Sequence, residues 1–403
     1  MHRDRTELFK TELTEPDRLA HHLRRLLDLV RPHVRPGAKT LVYVNAQVAR
    51  IGHLTHETWC LAHLKAMGYD RMIIVTAPLA DYANKAFREV MDLDFTVVET
   101  DDLILTTLGF IDAGLVSVEG ADLLLLPTLK FSEYHTRLLA GGARHVFFTL
   151  PDGIRARTER YLEARGLDPR APFAVMHVRD AGFAPEMSYH SFRFSPIESY
   201  RPAVERLLER GLNVLRIGDA ASPALEIRSP NYREVMRDEE YDDYLDVGLC
   251  GLCRMGICTL SGPWSLLQGF GKPIFFTNAY PQTFWSFLPQ EVTFYKHFFD
   301  KSGHELSYSE QWQHGVQHVL FAEELETKGL TVESNSAEEL LAGAEEMLKR
   351  LEDPEWEDAA LQQRYAEVAG TYDPNVRPPS GEVARWPRRL GVSYAKLNPG
   401  FLD

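Results

Sequence analysis

The chain has 403 residues, of which 44% are hydrophobic and 25% charged, and its formal net charge at neutral pH is -14. This length exceeds one ordinary hydrophobic core and predicts two domains. The acidic balance argues against a nucleic-acid partner, which requires a surplus of basic residues facing phosphates. The opening residues are charged and no apolar run approaches the roughly 20 residues of a membrane span. We therefore expect a soluble, cytoplasmic protein without a transmembrane segment.

Helical and β-branched segments alternate in the first half of the chain. The predicted elements, in chain order, are helix 15–34, strand 40–45, helix 53–67, strand 72–76, helix 80–91 and strands 95–99, 123–127 and 145–149. Alternation of this kind indicates a mostly parallel, doubly wound sheet. The charged stretch 151–172 is helical in pattern and is bounded by prolines, so we place the junction between the domains there.

The same alternation restarts after the junction. The predicted elements are strand 173–178, helix 197–210, strand 212–217, helix 242–253, strand 255–260, helix 264–270, strand 274–277 and helices 336–351 and 358–368. The sequence thus predicts an α/β protein with two Rossmann-like domains, 1–155 and 156–370, followed by an extended tail, 371–403, that packs on them. Ligands bind at the carboxyl edges of such sheets, so we expect the active site in a cleft between the domains.

Three of the four cysteines have the spacing C-x2-C-x4-C, which raises the question of a metal site. Cys250 and Cys253 lie in a helical pattern, Cys258 lies in the following strand, and no fourth ligand with suitable spacing is nearby. We predict that these three residues and Cys60 are buried, reduced thiols.

The charged sequence HVRD at 177–180 directly follows an apolar strand pattern, as expected at a ligand site. Arg179 can form a forked, charge-assisted pair with a nucleotide diphosphate and stabilise it as a leaving group. Alternatively, Arg179 forms a structural salt bridge at the domain rim. His177 and Asp180 are assigned to the same nucleotide-binding group, although His177 can instead orient its neighbours through a hydrogen bond.

Two further polar clusters follow strands of the second half. At 259–265, Ser261 is predicted to cap a helix, Gly262 permits close backbone approach, and Pro263 lies in the first helical turn. Ser261, Gly262 and Ser265 are assigned to the nucleotide-binding group. Helix starts of this kind bind anions, although similar turns also cap helices that bind nothing. At 216–219, Arg216 and Gly218 are predicted to flank the nucleotide, while Asp219 either joins them or serves only as a turn residue.

The first half presents its own polar residues after the first predicted strand. Gly52 allows a tight turn, and His53 stands at a helix start, where a neutral imidazole can accept the proton of an attacking hydroxyl. Histidines in this position also commonly cap helices or face solvent. The carboxylates to consider as alternative bases are Glu57, Asp81 and Glu133.

Together these pieces resemble a family of bacterial glycosyltransferases with the GT-B fold, in which two Rossmann-like domains face each other across a cleft. The resemblance spans about 100 residues of the second half, with weaker similarity at Gly52, Asn84 and the closing segment 393–402. The matching motifs are HVRD at 177–180 with Gly182, RIGD at 216–219, DDYLD at 242–246 with Leu249, SG at 261–262 and FGKP at 270–273.

The resemblance implies a nucleotide-sugar donor bound by the second domain. It assigns Asp243 to the donor site, and the H-x-R element at 177–179 is also similar to the diphosphate-binding motif of GDP-fucose-dependent transferases. This sequence has Asp242 where the family usually has serine, and Pro263 where it usually has leucine. Both departures bear on the local geometry expected for the donor loop.

We therefore predict a glycosyltransferase that moves a sugar from a nucleotide-sugar to a hydroxyl acceptor, in glycan or glycoconjugate biosynthesis. Arg179 would stabilise the leaving group, while His53 or a nearby carboxylate would act as base if the reaction inverts the anomeric centre. The acceptor side would include Gly52, His53 and Asn84. No cofactor and no metal are expected, because arginine and backbone dipoles supply the neutralising charge. The alternatives are a nucleotide-sugar epimerase of the same fold and a catalytically silent nucleotide-binding protein.

Overall fold

The structure is a computed structural model that describes residues 2–65, 67–118, 120–180, 182, 190–281, 288, 290–372 and 389–403. The chain divides into two compact units. Unit 1 comprises Met1–His135 and Arg144–Asp152, and unit 2 comprises Thr136–Ala143 and Gly153–Asp403. The proposed domain limits, 1–155 and 156–370, remain a prediction.

Unit 1 alternates helices with strands. Its helices are α1 (His2–Leu8), continued by a π-helical turn (Phe9–Leu13), α2 (Pro16–Val30), α3 (Ile51–Lys65), α4 (Phe87–Asp94), α5 (Leu103–Thr107) and α6 (Thr128–Ala140), the last of which continues into unit 2. Its strands are β1 (Thr40–Val44), β2 (Arg71–Thr76), β3 (Thr96–Glu99), β4 (Gly114–Val118) and β5 (Ala121–Leu125).

These five strands form one sheet in the order β3-β2-β1-β5-β4. All neighbours are parallel except β4, which pairs antiparallel with β5 at the edge. Every residue of β1 is buried. Its sequence, TLVYV, contains no charged residue, as expected for a strand that is covered on both faces. The chain therefore leaves β1 on one side for β2 and β3, crosses to the opposite edge at β4 and returns next to β1 at β5.

Unit 2 contains ten α-helices and eight strands among its described residues, counting α6, which it shares with unit 1. The other helices are α7 (Asp152–Ala164), α8 (Arg201–Glu209), α9 (Asp243–Leu252), α10 (Trp264–Gly269), α11 (Tyr308–Gln313), α12 (Ala322–Lys328), α13 (Ala337–Glu352), α14 (Ala359–Tyr372) and α15 (Val392–Leu397). The strands are β6 (Phe173–His177), β7 (Asn213–Arg216), β8 (Tyr232–Glu234), β9 (Met255–Cys258), β10 (Ile274–Ala279), β11 (Val292–Tyr295), β12 (His297–Phe299) and β13 (Thr331–Glu333).

Six of these strands form an all-parallel sheet in the order β11-β10-β9-β6-β7-β8, and β12 pairs antiparallel with β13. Numbered from the first strand of the sheet, this is the order 3-2-1-4-5-6 of a Rossmann fold. The direction of winding reverses between β6 and β9, which lie side by side at the centre. The predicted α/β class with parallel sheets is confirmed.

Three predictions of local structure were wrong. Residues 145–149 form no strand, because backbone groups of Val146 are bound by side chains of α3: Trp59 Nε1 donates to the Val146 carbonyl, and the Val146 amide donates to His63 Nε2. The predicted helix 80–91 begins later, at Phe87, where Asn84 Oδ1 accepts from the Phe87 amide. In the predicted extended tail, residues 392–397 are helical, whereas 373–388 lie outside the described residues.

The described part of the chain contains no helix that is both long enough and apolar enough to cross a bilayer.

Candidate functional site

The candidate site lies at the carboxyl ends of β6 and β9, the two central strands of the unit 2 sheet. His177 ends β6 and pairs in register with Cys258, the last residue of β9. The segments that follow are 178–180 after β6 and 259–262 after β9, so both motifs predicted to bind the nucleotide leave the sheet side by side. Reversal points of this kind are where open α/β sheets bind their ligands.

Hydrogen bonds join these two segments directly. The amide of Thr259 donates to the carbonyl of His177 at 3.2 Å, and the amide of Arg179 donates to Thr259 Oγ1 at 3.0 Å. The Ser261 hydroxyl lies 2.7 Å from His177 Nδ1. The structure therefore brings His177, Arg179 and Ser261 together, although they are up to 84 residues apart in sequence.

His177 is buried among cations and polar groups. Burial, together with the nearby charges of Arg216 and Arg179, lowers its pKa to about 4. The imidazole is therefore neutral at physiological pH, and its Nδ1 hydrogen bond orients Ser261. This geometry favours the orienting role for His177 that the sequence left as an alternative.

The backbone of Arg179 is held by hydrogen bonds at both its amide and its carbonyl. Its amide is bound by Thr259, and its carbonyl accepts from the amide of Ser195 at 3.0 Å. Its guanidinium is stacked towards the ring of Phe194, 6.0 Å from the centroid, and only 6% of the residue is exposed. The backbone bonds fix the point at which the side chain leaves the loop, and its burial restricts the positions that the guanidinium can take.

A second arginine at this edge, Arg193, was missed by the sequence analysis. Its guanidinium donates to the carbonyl of Leu260, next to Ser261. Burial raises the pKa of the Tyr280 phenol, and the charges of Arg193 and Arg179 act against that rise, so both cations lie near one tyrosine. Arg193 belongs to no recognisable motif, and only its neighbourhood in the fold identifies it.

The predicted helix cap at Ser261 was wrong. Helix α10 begins at Trp264, its N-cap residue Pro263 has helical backbone angles, and Ser261 binds His177 instead. The Ser265 hydroxyl donates back to the carbonyl of Gly262 at 2.8 Å, which closes the turn. Because α10 has only six residues, its dipole is small, and the positive charge at this edge comes mainly from the arginines.

Arg216 and Asp180 lie inside unit 2 rather than at an open surface. Arg216 is 1% exposed, and its guanidinium binds Asp180 Oδ2 at 3.0 Å, Glu234 Oε1 at 2.6 Å and the carbonyl of Pro223 at 2.7 Å. This buried ion pair ties the loop after β6 to β8. Its geometry suits a residue that positions the site, whereas the sequence analysis assigned both residues to direct nucleotide binding.

The glycines of the two motifs permit close packing between loops. A Cβ on Gly182 would lie 2.4 Å from the carbonyl oxygen of Ala221, in the loop after β7. Gly218 has φ of +138°, which favours glycine, and faces the His177 ring. Asp219 is exposed and accepts from the amide of Ala221 at 2.8 Å, so it serves as a turn residue.

The acidic motif at 242–246 begins helix α9. Asp242 caps the helix by accepting from the amides of Tyr244 and Leu245. Asp243 lies in the first helical turn and is partly exposed. Asp246 accepts from the hydroxyl of Tyr241, which also accepts from the amide of Gly218 at 3.3 Å. These contacts tie the start of α9 to the loop that contains Gly218.

In unit 1, the winding direction reverses between β1 and β5. Thr128, which follows β5, lies 3.1 Å from His53 Nδ1 and accepts from Gln47 Nε2 at 3.2 Å. His53 also lies 3.2 Å from Glu57 Oε1, one turn further along α3. A second polar cluster thus occupies the reversal point of the first sheet, and it contains the predicted base.

The structure gives no direct role at this cluster to the other residues predicted for the acceptor side or considered as bases, apart from Glu57. Gly52 lies within the first turn of α3 rather than in a tight turn. Asn84 is buried and binds the amide of Phe87 at the start of α4. Asp81 lies in an exposed 3-10 turn, and Glu133 pairs with Lys130 at 3.4 Å, so of the three candidate carboxylates Glu57 is the one bonded to His53.

All four cysteines are free and buried, as predicted. Burial raises the pKa of each thiol, and the rise for Cys253 is to about 12. Among the described residues, no group of three or more His, Cys, Asp or Glu side chains is arranged to hold a metal ion.

No protein-family model matches the sequence, and neither does any curated protein. Among solved structures, E. coli ADP-heptose LPS heptosyltransferase II is 12% identical over 59% of this chain and 84% of its own, with a TM-score of 0.39. A glycosyl transferase family 9 protein from Veillonella parvula is 11% identical over 77% of this chain and 98% of its own, with a TM-score of 0.44.

The iron-containing dodecameric glycosyltransferase TibC from enterotoxigenic E. coli is also similar, at 11% identity over 59% of this chain and 58% of its own, with a TM-score of 0.34. At these identities, and with TM-scores below 0.5, the likenesses do not decide the activity of this chain.

Proposed function

We propose that the chain is a glycosyltransferase that binds a nucleoside-diphosphate sugar in unit 2 and transfers the sugar to a hydroxyl acceptor, such as a growing glycan. The observation that carries this proposal is the position of Arg179 beside Ser261 and Gly262, where the winding of a Rossmann sheet reverses. A diphosphate has the charge and the paired oxygens that a guanidinium at such an edge can bind.

The reaction requires stabilisation of a departing diphosphate. The acceptor oxygen attacks the anomeric carbon, and the bond from that carbon to the diphosphate breaks with its electron pair on the phosphate oxygen. Arg179 neutralises the charge that develops there, and Arg193 adds a second cation at the same edge. Fixed cations can perform this task without a metal ion, and we propose that transfer is metal-independent.

The acceptor hydroxyl must lose its proton as it attacks. We propose His53 as the general base, because a partly exposed imidazole next to a buried carboxylate can accept and hold that proton. Arg216 and Asp180 support the donor loops from inside unit 2, and Gly218, Asp219 and Asp243 border them.

Donor binding is tested by calorimetric titration of the full chain with GDP, UDP, ADP, dTDP and CMP. We expect one nucleoside diphosphate to bind in the micromolar range and the monophosphate CMP to bind at least tenfold more weakly. ADP-heptose, the donor named for one structural neighbour, belongs in the matching panel of sugar nucleotides. Failure of every nucleotide to bind would contradict the proposal.

Turnover separates transfer from its two alternatives. Release of the nucleoside diphosphate that depends on an added glycan acceptor supports transfer. An altered sugar nucleotide formed without any acceptor would instead identify an epimerase. Tight nucleotide binding without turnover across the panel of donors and glycan acceptors would identify a binding protein that keeps the pocket for regulation or assembly.

A further inference from the structure

His53 and Glu57 are four residues apart in helix α3 and therefore lie on one face of it. Their contact is made by a defined pair of atoms, His53 Nδ1 and Glu57 Oε1, at 3.2 Å. The side chain of His53 is 27% exposed, whereas that of Glu57 is 2% exposed. The pair thus has a buried carboxylate behind a partly exposed ring.

Two hydroxyl groups hold the buried carboxylate in position. Tyr43 in β1 donates its hydroxyl to Glu57 Oε2 at 2.7 Å, and Thr128 donates to Glu57 Oε1 at 2.6 Å. Burial raises the pKa of Tyr43 well above its ordinary value, and the neighbouring Glu57 adds to the rise, so the phenol stays protonated and remains a donor. Both oxygens of Glu57 are therefore held by elements on either side of the reversal point in unit 1.

These contacts select one tautomer of His53. A carboxylate only accepts hydrogen bonds, so the nitrogen facing Glu57 carries the proton. His53 Nδ1 faces Glu57 Oε1 at 3.2 Å and Thr128 Oγ1 at 3.1 Å, and both oxygens can accept its proton. Gln47 Nε2, which lies 3.3 Å from Nδ1, is itself a donor and gives its proton to Thr128, so it makes no bond to a protonated Nδ1. The proton on Nδ1 leaves Nε2 as the basic nitrogen of the ring.

We infer that Glu57 is a positioning residue that fixes His53 with its proton on Nδ1, so that Nε2 can take the proton of the acceptor hydroxyl. This rests on the proposed transfer reaction, because that reaction supplies the hydroxyl. As the acceptor oxygen bonds to the anomeric carbon, its O–H bond breaks and an N–H bond forms at Nε2. The resulting imidazolium is stabilised by the charge of Glu57 through the Nδ1 hydrogen bond.

The tautomer is measured without donor or acceptor, by nitrogen NMR of the full chain labelled with ¹⁵N-histidine. His53→Gln identifies the His53 signals by their loss. We expect the Nδ1-protonated form in the native protein and a shift towards the Nε2-protonated form in Glu57→Gln. Glu7→Gln, at an exposed position in α1, is the matched control and should leave the His53 signals unchanged.

The inference is overturned if native His53 is protonated on Nε2, or if Glu57→Gln leaves the tautomer as it was. Should Glu57→Gln fail to fold, the tautomer of native His53 still decides: protonation on Nδ1 supports the inference, and protonation on Nε2 overturns it. Failure of every nucleotide to bind would defeat the proposed function while leaving this NMR result to be decided separately.

Kinetics supply a second measurement once a donor and acceptor pair is found. Glu57→Gln should lower kcat on the order of 10²-fold, as expected for impaired general-base catalysis, with the KM for the donor nearly unchanged. A rise of similar size in the KM for the donor, with kcat unchanged, would assign Glu57 to donor binding and contradict the positioning role.

Discussion

Ser261 and His177 are joined by a 2.7 Å hydrogen bond between the hydroxyl and Nδ1, which links the two central strands of the unit 2 sheet beyond their last paired residues. His177 is neutral because burial lowers its pKa to about 4. The bond therefore needs no charge on the ring, and it holds the Ser261-Gly262 turn beside Arg179.

Ser261→Ala removes this bond and leaves His177 Nδ1 without the hydroxyl. A neutral hydrogen bond of this kind contributes about 1 kcal/mol, so we expect affinity for the nucleoside diphosphate to fall by about five- to tenfold. Calorimetric titration measures the change. Ser199→Ala, in the 3-10 turn before α8, is the control expected to bind as the native protein does. Native affinity in Ser261→Ala would exclude the turn from the site.

Gly182→Ala tests the packing between the loops after β6 and β7. The new Cβ would stand 2.4 Å from the carbonyl oxygen of Ala221 and 2.6 Å from the Cα of Ser222, so backbone must move. We expect nucleotide affinity to drop by tenfold or more, with a loss of stability of about 1 to 3 kcal/mol. Gly166→Ala, where nothing lies within 4 Å but φ is +73°, controls for backbone strain alone. Equal effects of both substitutions on affinity would disprove the packing explanation.

Arg216→Met leaves Asp180 and Glu234 without the cation buried between them. Removing one member of a buried ion pair costs about 3 to 5 kcal/mol, and we expect that loss in the free energy of unfolding from urea titration. Arg210→Met breaks an exposed pair with Glu352 and should cost less than about 1 kcal/mol. A similar small cost for both substitutions would show that Arg216 does not support the loops.

The stability of unit 1 should fall in mild acid. His56, His63, His135 and His145 are clustered and largely buried, and burial lowers the pKa of each, to about 4 for His56 and His63. In the unfolded chain a histidine titrates near pH 6.5, so between about pH 6.5 and pH 4 the unfolded state binds protons that the folded state does not. Stability from these groups is complete above pH 6.5 and decreases as the pH falls.

Hydrogen exchange of α3 amides at pH values from 4.5 to 7.5 measures this effect after correction for the intrinsic rate. We expect the free energy of opening to decrease by up to about 1.4 kcal/mol per pH unit for each histidine. His297 in unit 2 provides a contrast, because it pairs with Glu305 and Glu339, which outweigh its burial and raise its pKa to about 9. The contribution of His297 to stability is present below pH 6.5 and is lost as the pH rises through 9. A free energy of opening of α3 that stays constant or increases as the pH falls would contradict the prediction that these four histidines are neutral in the folded protein.

The sequence predicted most strands of both sheets because each is a short apolar run bounded by polar residues or glycine. It also predicted that HVRD at 177–180 and SG at 261–262 follow strands. It could not supply the strand order, which depends on contacts between distant segments. That order is what places these two motifs side by side.

The burial of polar groups could not be predicted from the sequence. Arg216 and Arg179 both follow β-strand patterns, yet Arg216 is enclosed by two carboxylates, and no local pattern distinguishes it. Arg193 escaped notice because it lies in an irregular segment whose position depends on the folded sheet. The contact between His53 and Glu57 was available from their helical spacing, but the hydroxyls of Tyr43 and Thr128 that complete it come from other strands and helices.

The central claim is that Arg179 binds the diphosphate of a sugar-nucleotide donor. The most direct test is calorimetric titration of native protein, Arg179→Ala, Arg179→Lys and Arg170→Ala with the nucleoside diphosphate that binds the native chain. Arg170 is the matched control, since its side chain is 92% exposed in unit 2. We predict a loss of affinity of 10²-fold or more in Arg179→Ala, a smaller loss in Arg179→Lys, which keeps the charge without the fork, and native affinity in Arg170→Ala. Native affinity in a folded Arg179→Ala would contradict the account.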